Sequence, residues 1–151
     1  MHDIARKVKI SMRMVLDTDA VVAAMHSPCG ASATPVQAAG AGRVQLLDNV
    51  ALVLEYEAVC ARVDHLTVAG LDIRKAGRFV DAFAALAEPL ASHFIWRPHL
   101  KDLPDEMVLG AAANGRAQAI VSTNLRDFRN VPNQFGIRIL LPRDACGRIM
   151  E

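Results

Sequence analysis

Aromatic residues are scarce in this chain, 5% of 151 residues, with one Trp and one Tyr. A core built largely without them must be packed from Leu, Val, Ile and Ala, which favours helices layered on a sheet over a β-sandwich. Cysteine is almost as sparse: Cys29, Cys60 and Cys146 are far apart, odd in number and show no Cys-x-x-Cys spacing. That argues against a disulfide framework and a zinc knuckle, and fits reduced thiols in a cytoplasm. Excess charge is missing too. The formal net charge is +1, so any nucleic-acid contact has to come from a local basic patch and not from the field of the whole molecule. No apolar run approaches the roughly 18 residues of a membrane span, and the first residues, Met1 to Lys7, lack the apolar stretch of a secretory signal. A soluble, cytoplasmic protein with no membrane partner is expected. Neither His-x-x-x-His spacing nor a phosphate-cradling glycine loop occurs.

What the chain does have is apolar content, 52% of its residues, enough for one sizeable core and too little length for two ordinary domains. We expect a polar leader at 1–11, one domain at 12–146 and a short tail at 147–151. Mostly apolar segments predict strands at 12–16, 43–47, 92–96, 119–122 and 137–141. Helices are predicted near 20–25, with Thr18 or Asp19 as cap, 31–39, 50–62 behind Asp48 or Asn49, 71–86 and 103–113, the last opened by Pro104. Residues 128–135 read as turn. Runs of this kind alternating with helices imply a mainly parallel sheet of four to five strands covered on both faces.

In such sheets ligands collect beyond the carboxyl ends of the strands. Asp17 follows the first strand, Asn124 and Asp127 follow the 119–122 strand, and Asp105 opens a helix after a strand, so three acids converge on one edge. Glu55 sits on the 50–62 helix beside its apolar stripe. Carboxylates scattered in this way suit a hard divalent cation such as Mg²⁺, which takes oxygen ligands, keeps several waters and shares substrate phosphates. Each acid also has an ordinary reading: a cap at Asp17, a solvated helix face at Glu55, first-turn acids at Asp105 and Glu106, a turn at Asp127. His26, His65 and His93 stand isolated in the sequence and are not expected to be catalytic.

Four blocks change the balance: Val15-Leu16-Asp17-Thr18-Asp19, Leu54-Glu55-Tyr56-Glu57-Ala58-Val59, Leu103-Pro104-Asp105-Glu106-Met107-Val108-Leu109-Gly110-Ala111-Ala112 and Ile120-Val121-Ser122-Thr123-Asn124-Leu125-Arg126-Asp127-Phe128. In order and spacing, from about Met14 to Arg143, they resemble the acidic blocks of PIN-domain nucleases, most of all the VapC-like toxin branch of toxin–antitoxin pairs. The resemblance implies a PIN-like α/β domain and a ribonuclease that hydrolyses phosphodiester bonds in single-stranded RNA with Mg²⁺ or Mn²⁺. It implies Asp17, Glu55 and Asp105 as metal-binding catalytic acids and Asp127 or a neighbour as the fourth. Ser122 and Thr123 resemble the hydroxyl residues set beside the metal. Two positions depart from the pattern: Asp19 stands where Asn is usual, and Asn124 where an acid is usual. A cognate antitoxin covering the cleft and a homodimer formed through helical surfaces are also implied. Arg97, His99, Lys101, Arg126 and Arg129 are candidates for holding RNA phosphates.

Two other readings compete. Asp17-Thr18-Asp19 after an apolar strand also fits a haloacid-dehalogenase-like phosphatase with Asp17 as nucleophile, but that family needs a later lysine and acidic pair. After Leu125 the chain has no lysine and only Asp127, Asp144 and Glu151 as acids. Alternatively, loss of the acid at Asn124 would leave an inactive RNA- or protein-binding module.

Overall fold

The structure is a computed structural model that describes residues 12–91 and 103–150. The five strands are β1 (Met12–Leu16), β2 (Val44–Asp48), β3 (Ala87–Pro89), β4 (Ala119–Val121) and β5 (Arg138–Leu140). They form one sheet in the order β3-β2-β1-β4-β5 with every pairing parallel. Side chains of a strand alternate between faces, yet the consecutive Met14, Val15 and Leu16 are all fully buried. The sheet is therefore covered on both sides, as unbroken apolar runs require.

The covering helices are α1 (Thr18–His26), α2 (Thr34–Gly40), α3 (Val50–Cys60), α4 (Val63–Ala69), α5 (Ile73–Leu86), α6 (Leu103–Asn114), α7 (Val131–Phe135) and α8 (Pro142–Met150). Short 3-10 turns stand at Ala31–Ala33 and Leu125–Phe128. α3 packs against α1, α5 and α6, while α2 packs on β2 and α8. At the core's centre the fully buried Tyr56 meets Phe83 edge to face, with ring centroids 5.2 Å apart, and its hydroxyl donates to the Leu16 carbonyl. One tyrosine thus ties the end of β1 to α3.

Several boundaries differ from expectation for identifiable reasons. The cap of α1 is Asp17 and neither Thr18 nor Asp19: the Asp17 carboxylate accepts from the Thr18 N–H at 2.8 Å. For α3 the cap is Asn49, whose side chain accepts from the Leu52 N–H. α4 is not expected from the sequence: none of its residues is fully buried, and of its apolar side chains only Leu66 and Ala69 pack partly against the core. The segment 147–151 is not a tail through most of its length. Pro142 opens α8, where a proline's missing N–H costs least, and Ile149 packs against the core. Residues 128–135, expected as turn, contain α7. The leader at 1–11 and the strand expected at 92–96 lie outside the described residues.

Candidate active site

The chain runs from β1 to β2 and β3 on one side of the sheet, and β4 and β5 lie on the other side of β1. The boundary between β1 and β4 is the topological switch point, and it opens a crevice at the carboxyl ends of both strands. Asp17 stands there, 5% exposed. Its N–H donates to the Val121 carbonyl at 2.8 Å, which docks the end of β1 on the end of β4. Its carboxylate accepts from the Thr18 N–H and, at 2.7 Å, from the Ser122 hydroxyl. Ser122, fully buried, accepts in turn from the Asn124 N–H at 2.9 Å. Sequence distance is no obstacle here, since the parallel register sets Leu16 beside Val121.

An open cleft of about 460 Å³ spreads from this point, with Asp17, Asp19, Asp105, Asp127 and Thr123 at one end. Asp105 is buried in the first turn of α6, behind Pro104. Asp19 accepts from the Thr123 hydroxyl, joining α1 to the loop after β4. Glu55 is half-buried on α3 and is not among the residues lining the cleft, although Val59, one turn later, is. Asn124 does not line it either. Arg126 and Arg129 are exposed and stand outside the lining; Arg97, His99 and Lys101 fall outside the described residues.

Electrostatics follow from this crowding. Burial, then the charges of Asp19 and Asp105, raise the Asp17 carboxyl to about 7, against the Ser122 and Thr18 hydrogen bonds that lower it. Two negative neighbours close to a buried carboxylate make a place where a cation is favourable. The donor set is oxygen throughout, which suits Mg²⁺ or Mn²⁺. Among the described residues no three Asp, Glu, His or Cys side chains are already drawn into a metal-holding cluster. Mg²⁺ sites of the open kind use one or two carboxylates, waters and substrate phosphates.

Asp48 carries a cost that its sequence context does not announce. It ends β2 at 3% exposure, one carboxylate oxygen has no hydrogen-bond partner among the described residues, and burial raises it to about 6. A carboxyl raised in the folded state stabilises relative to its ionised form only while protonated. That contribution is full below the ordinary value near 3.8 and lost as pH rises through about 6. Asp48→Asn is therefore expected to melt with the wild type below pH 4 and above it at pH 8. A shift from 3.8 to about 6 makes the gain on the order of 1–3 kcal/mol. Thermal melts of both proteins across that range measure it.

A buried acidic crevice at the switch point of a parallel α/β sheet stands where sheets of this class bind their ligands. A family model described as PIN domain matches residues 13–126, and the chain belongs to the PIN-domain family, whose members are nucleases and typically metal-dependent. The match takes in Asp17, Glu55, Asp105 and Ser122 to Asn124 and stops one residue before Asp127. Comparison with curated proteins and with solved structures gave no significant match. Among the described residues no helix is long and apolar enough to cross a membrane.

Proposed function

We propose that the chain is an endoribonuclease that cuts single-stranded RNA with Mg²⁺ or Mn²⁺, and that it is the toxin of a type II toxin–antitoxin pair in the cytoplasm. The observation that carries the nuclease chemistry is Asp17: a buried carboxylate aimed by Ser122 and Thr18, with Asp19 and Asp105 adding negative charge beside it. Asp17, Asp105 and Asp127 line the cleft and would hold the ion; Glu55, on α3 outside the lining, is added by the resemblance of the acidic blocks alone. Once bound, such an ion lowers the pKa of a water for in-line attack on phosphorus and offsets charge on the leaving oxygen. The chain's own share is orientation. Ser122 fixes one Asp17 oxygen and the helix cap fixes the other, so the carboxylate loses little freedom on binding. Asp19, held by Thr123, keeps the wall of the cleft in place.

The toxin assignment rests on the resemblance of the four acidic blocks. It is supported by exposed apolar side chains on neighbouring helices, Val50 and Leu54 on α3, Val63 and Val68 on α4 and Ile73 on α5, a surface suited to a homodimer or an antitoxin.

The test is cleavage of end-labelled single-stranded RNA with Mg²⁺ or Mn²⁺, with EDTA and with Asp17→Asn, beside a small phosphate ester. Cutting lost in EDTA and in the variant supports the nuclease. Hydrolysis of the ester alone restores the Asp17-nucleophile phosphatase, and silence on both leaves the binding module. In the same assay Ser122→Ala is expected to fold normally and to need about 10- to 100-fold more Mn²⁺ for half-maximal rate, the usual cost of removing a group that orients a ligand.

A further inference from the structure

The acidic end accounts for only half of the cleft. From Asp19 one face of α1 continues through Val22 and Ala23 to His26, all lining the same space, and Val59 of α3 and His65 of α4 line it too. His26 closes α1 and His65 lies on α4, and packing of the two helices brings the rings to 5.1 Å between centroids, tilted by 41°. Both residues are half-buried, so the rings form a wedge and not a mutually covered stack. The His26 Nε2 is shielded and has no hydrogen-bond partner among the described residues.

We propose that this wedge is a nucleobase subsite, in which His26 and His65 take the face of one base of the RNA strand whose phosphate is cut at the acidic end. The assignment rests on the ribonuclease reading above. Three observations favour a base over a phosphate. No Lys or Arg among the described residues lines the cleft, and Asp19 shares the wall, so an anion gains nothing there. Val22, Ala23 and Val59 add methyl groups, the surroundings of an uncharged flat ring. Other rings are spent elsewhere: Tyr56, Phe83 and Phe128 are fully buried, so among the described residues the two imidazoles are the aromatic faces that line the cleft. Unstacked bases of single-stranded RNA are held on such faces, His included. From Asp19 to His26 the helix rises about 10 Å. The base held is therefore a few nucleotides at most from the cut. Stacking strength then favours a purine at that position.

The experiment measures binding in EDTA, by fluorescence anisotropy, and cleavage with Mn²⁺. It uses full-length wild type, His26→Ala, His65→Ala and His65→Phe on one single-stranded RNA and on copies each missing one base. His65→Ala is expected to bind the intact RNA about tenfold more weakly, and His65→Phe to bind it as the wild type does. One abasic position should weaken the wild type equally and have no further effect on His65→Ala. Thermal melts check that each variant is folded. Binding unchanged in folded His65→Ala and His26→Ala overturns the subsite while RNA cleavage stands. A loss that Phe does not restore overturns stacking in favour of a hydrogen-bonding or metal-binding imidazole. If the wild type neither binds nor cuts RNA, the ribonuclease reading falls and the subsite with it.

Discussion

Asp17→Asn is expected to reduce metal-dependent cleavage by at least two to three orders of magnitude, and to melt above the wild type in metal-free buffer at pH 8. Both effects come from one charge. The folded protein raises the Asp17 carboxyl from 3.8 to about 7, so its contribution to stability is full below pH 4 and lost as pH climbs through 7. The gap between charged and neutral forms is on the order of 4 kcal/mol before solvent screening. Asn keeps the size and an oxygen for the Thr18 N–H but carries no charge. The two proteins should therefore melt alike near pH 4 and diverge toward pH 8. Mn²⁺ should narrow the divergence, since an ion that binds the folded wild type alone stabilises it by mass action. Calorimetry with and without Mn²⁺ reads all three features. A variant less stable than the wild type at pH 8 would show that the acidic cluster is not under electrostatic load.

Tyr56→Ala has the largest expected structural effect, a loss of about 3–5 kcal/mol in chemical denaturation, as for other large aromatics deleted from a packed interior. It removes a fully buried ring, the edge contact to Phe83 and the hydrogen bond to the Leu16 carbonyl. Tyr56→Phe separates these contributions. It keeps the ring and should cost only about 1–2 kcal/mol. Its cost in cleavage should exceed what that figure suggests, because the lost hydrogen bond anchors the residue before Asp17 to the helix that carries Glu55. Equal rates for Tyr56→Phe and the wild type would show that this tether does not position the site.

Much of this was readable before any coordinates. β1 is mostly apolar and β4 wholly so, and strands of that kind alternating with helices imply a mainly parallel sheet with Asp17 and Asp127 at one edge; the neighbouring of β1 and β4 was not legible. Asp105 was legible as an acid behind a helix-opening proline. Other features were not, and the reason is physical. α4 has no fully buried residue and sets only Leu66 and Ala69 against the core, too short an apolar stripe to read; with it went the His26–His65 pair, since half of that pair rides on α4. α8 begins at a proline that reads equally well as a stop. Asp48 looked like a helix cap because its neighbour Asn49 is one, and only burial reveals the unpaired oxygen. Glu55 shows the converse limit: helical spacing put it near the buried face, where it is half-buried, but could not say whether it meets the cleft.

The hydrogen bond from Ser122 to Asp17 joins positions 105 residues apart. Contacts of that span form late, after the intervening chain has paid its loop-closure entropy, and parallel sheets are slow for the same reason. During synthesis, which proceeds from the N-terminus at about 5–20 residues per second, β1 and α1 emerge long before β4 exists. Until β4 docks, Asp17 is an ordinary solvated aspartate without its orienting serine or the Val121 carbonyl. The growing polypeptide is thus unarmed for most of its time on the ribosome, and any product truncated ahead of residue 119 stays so.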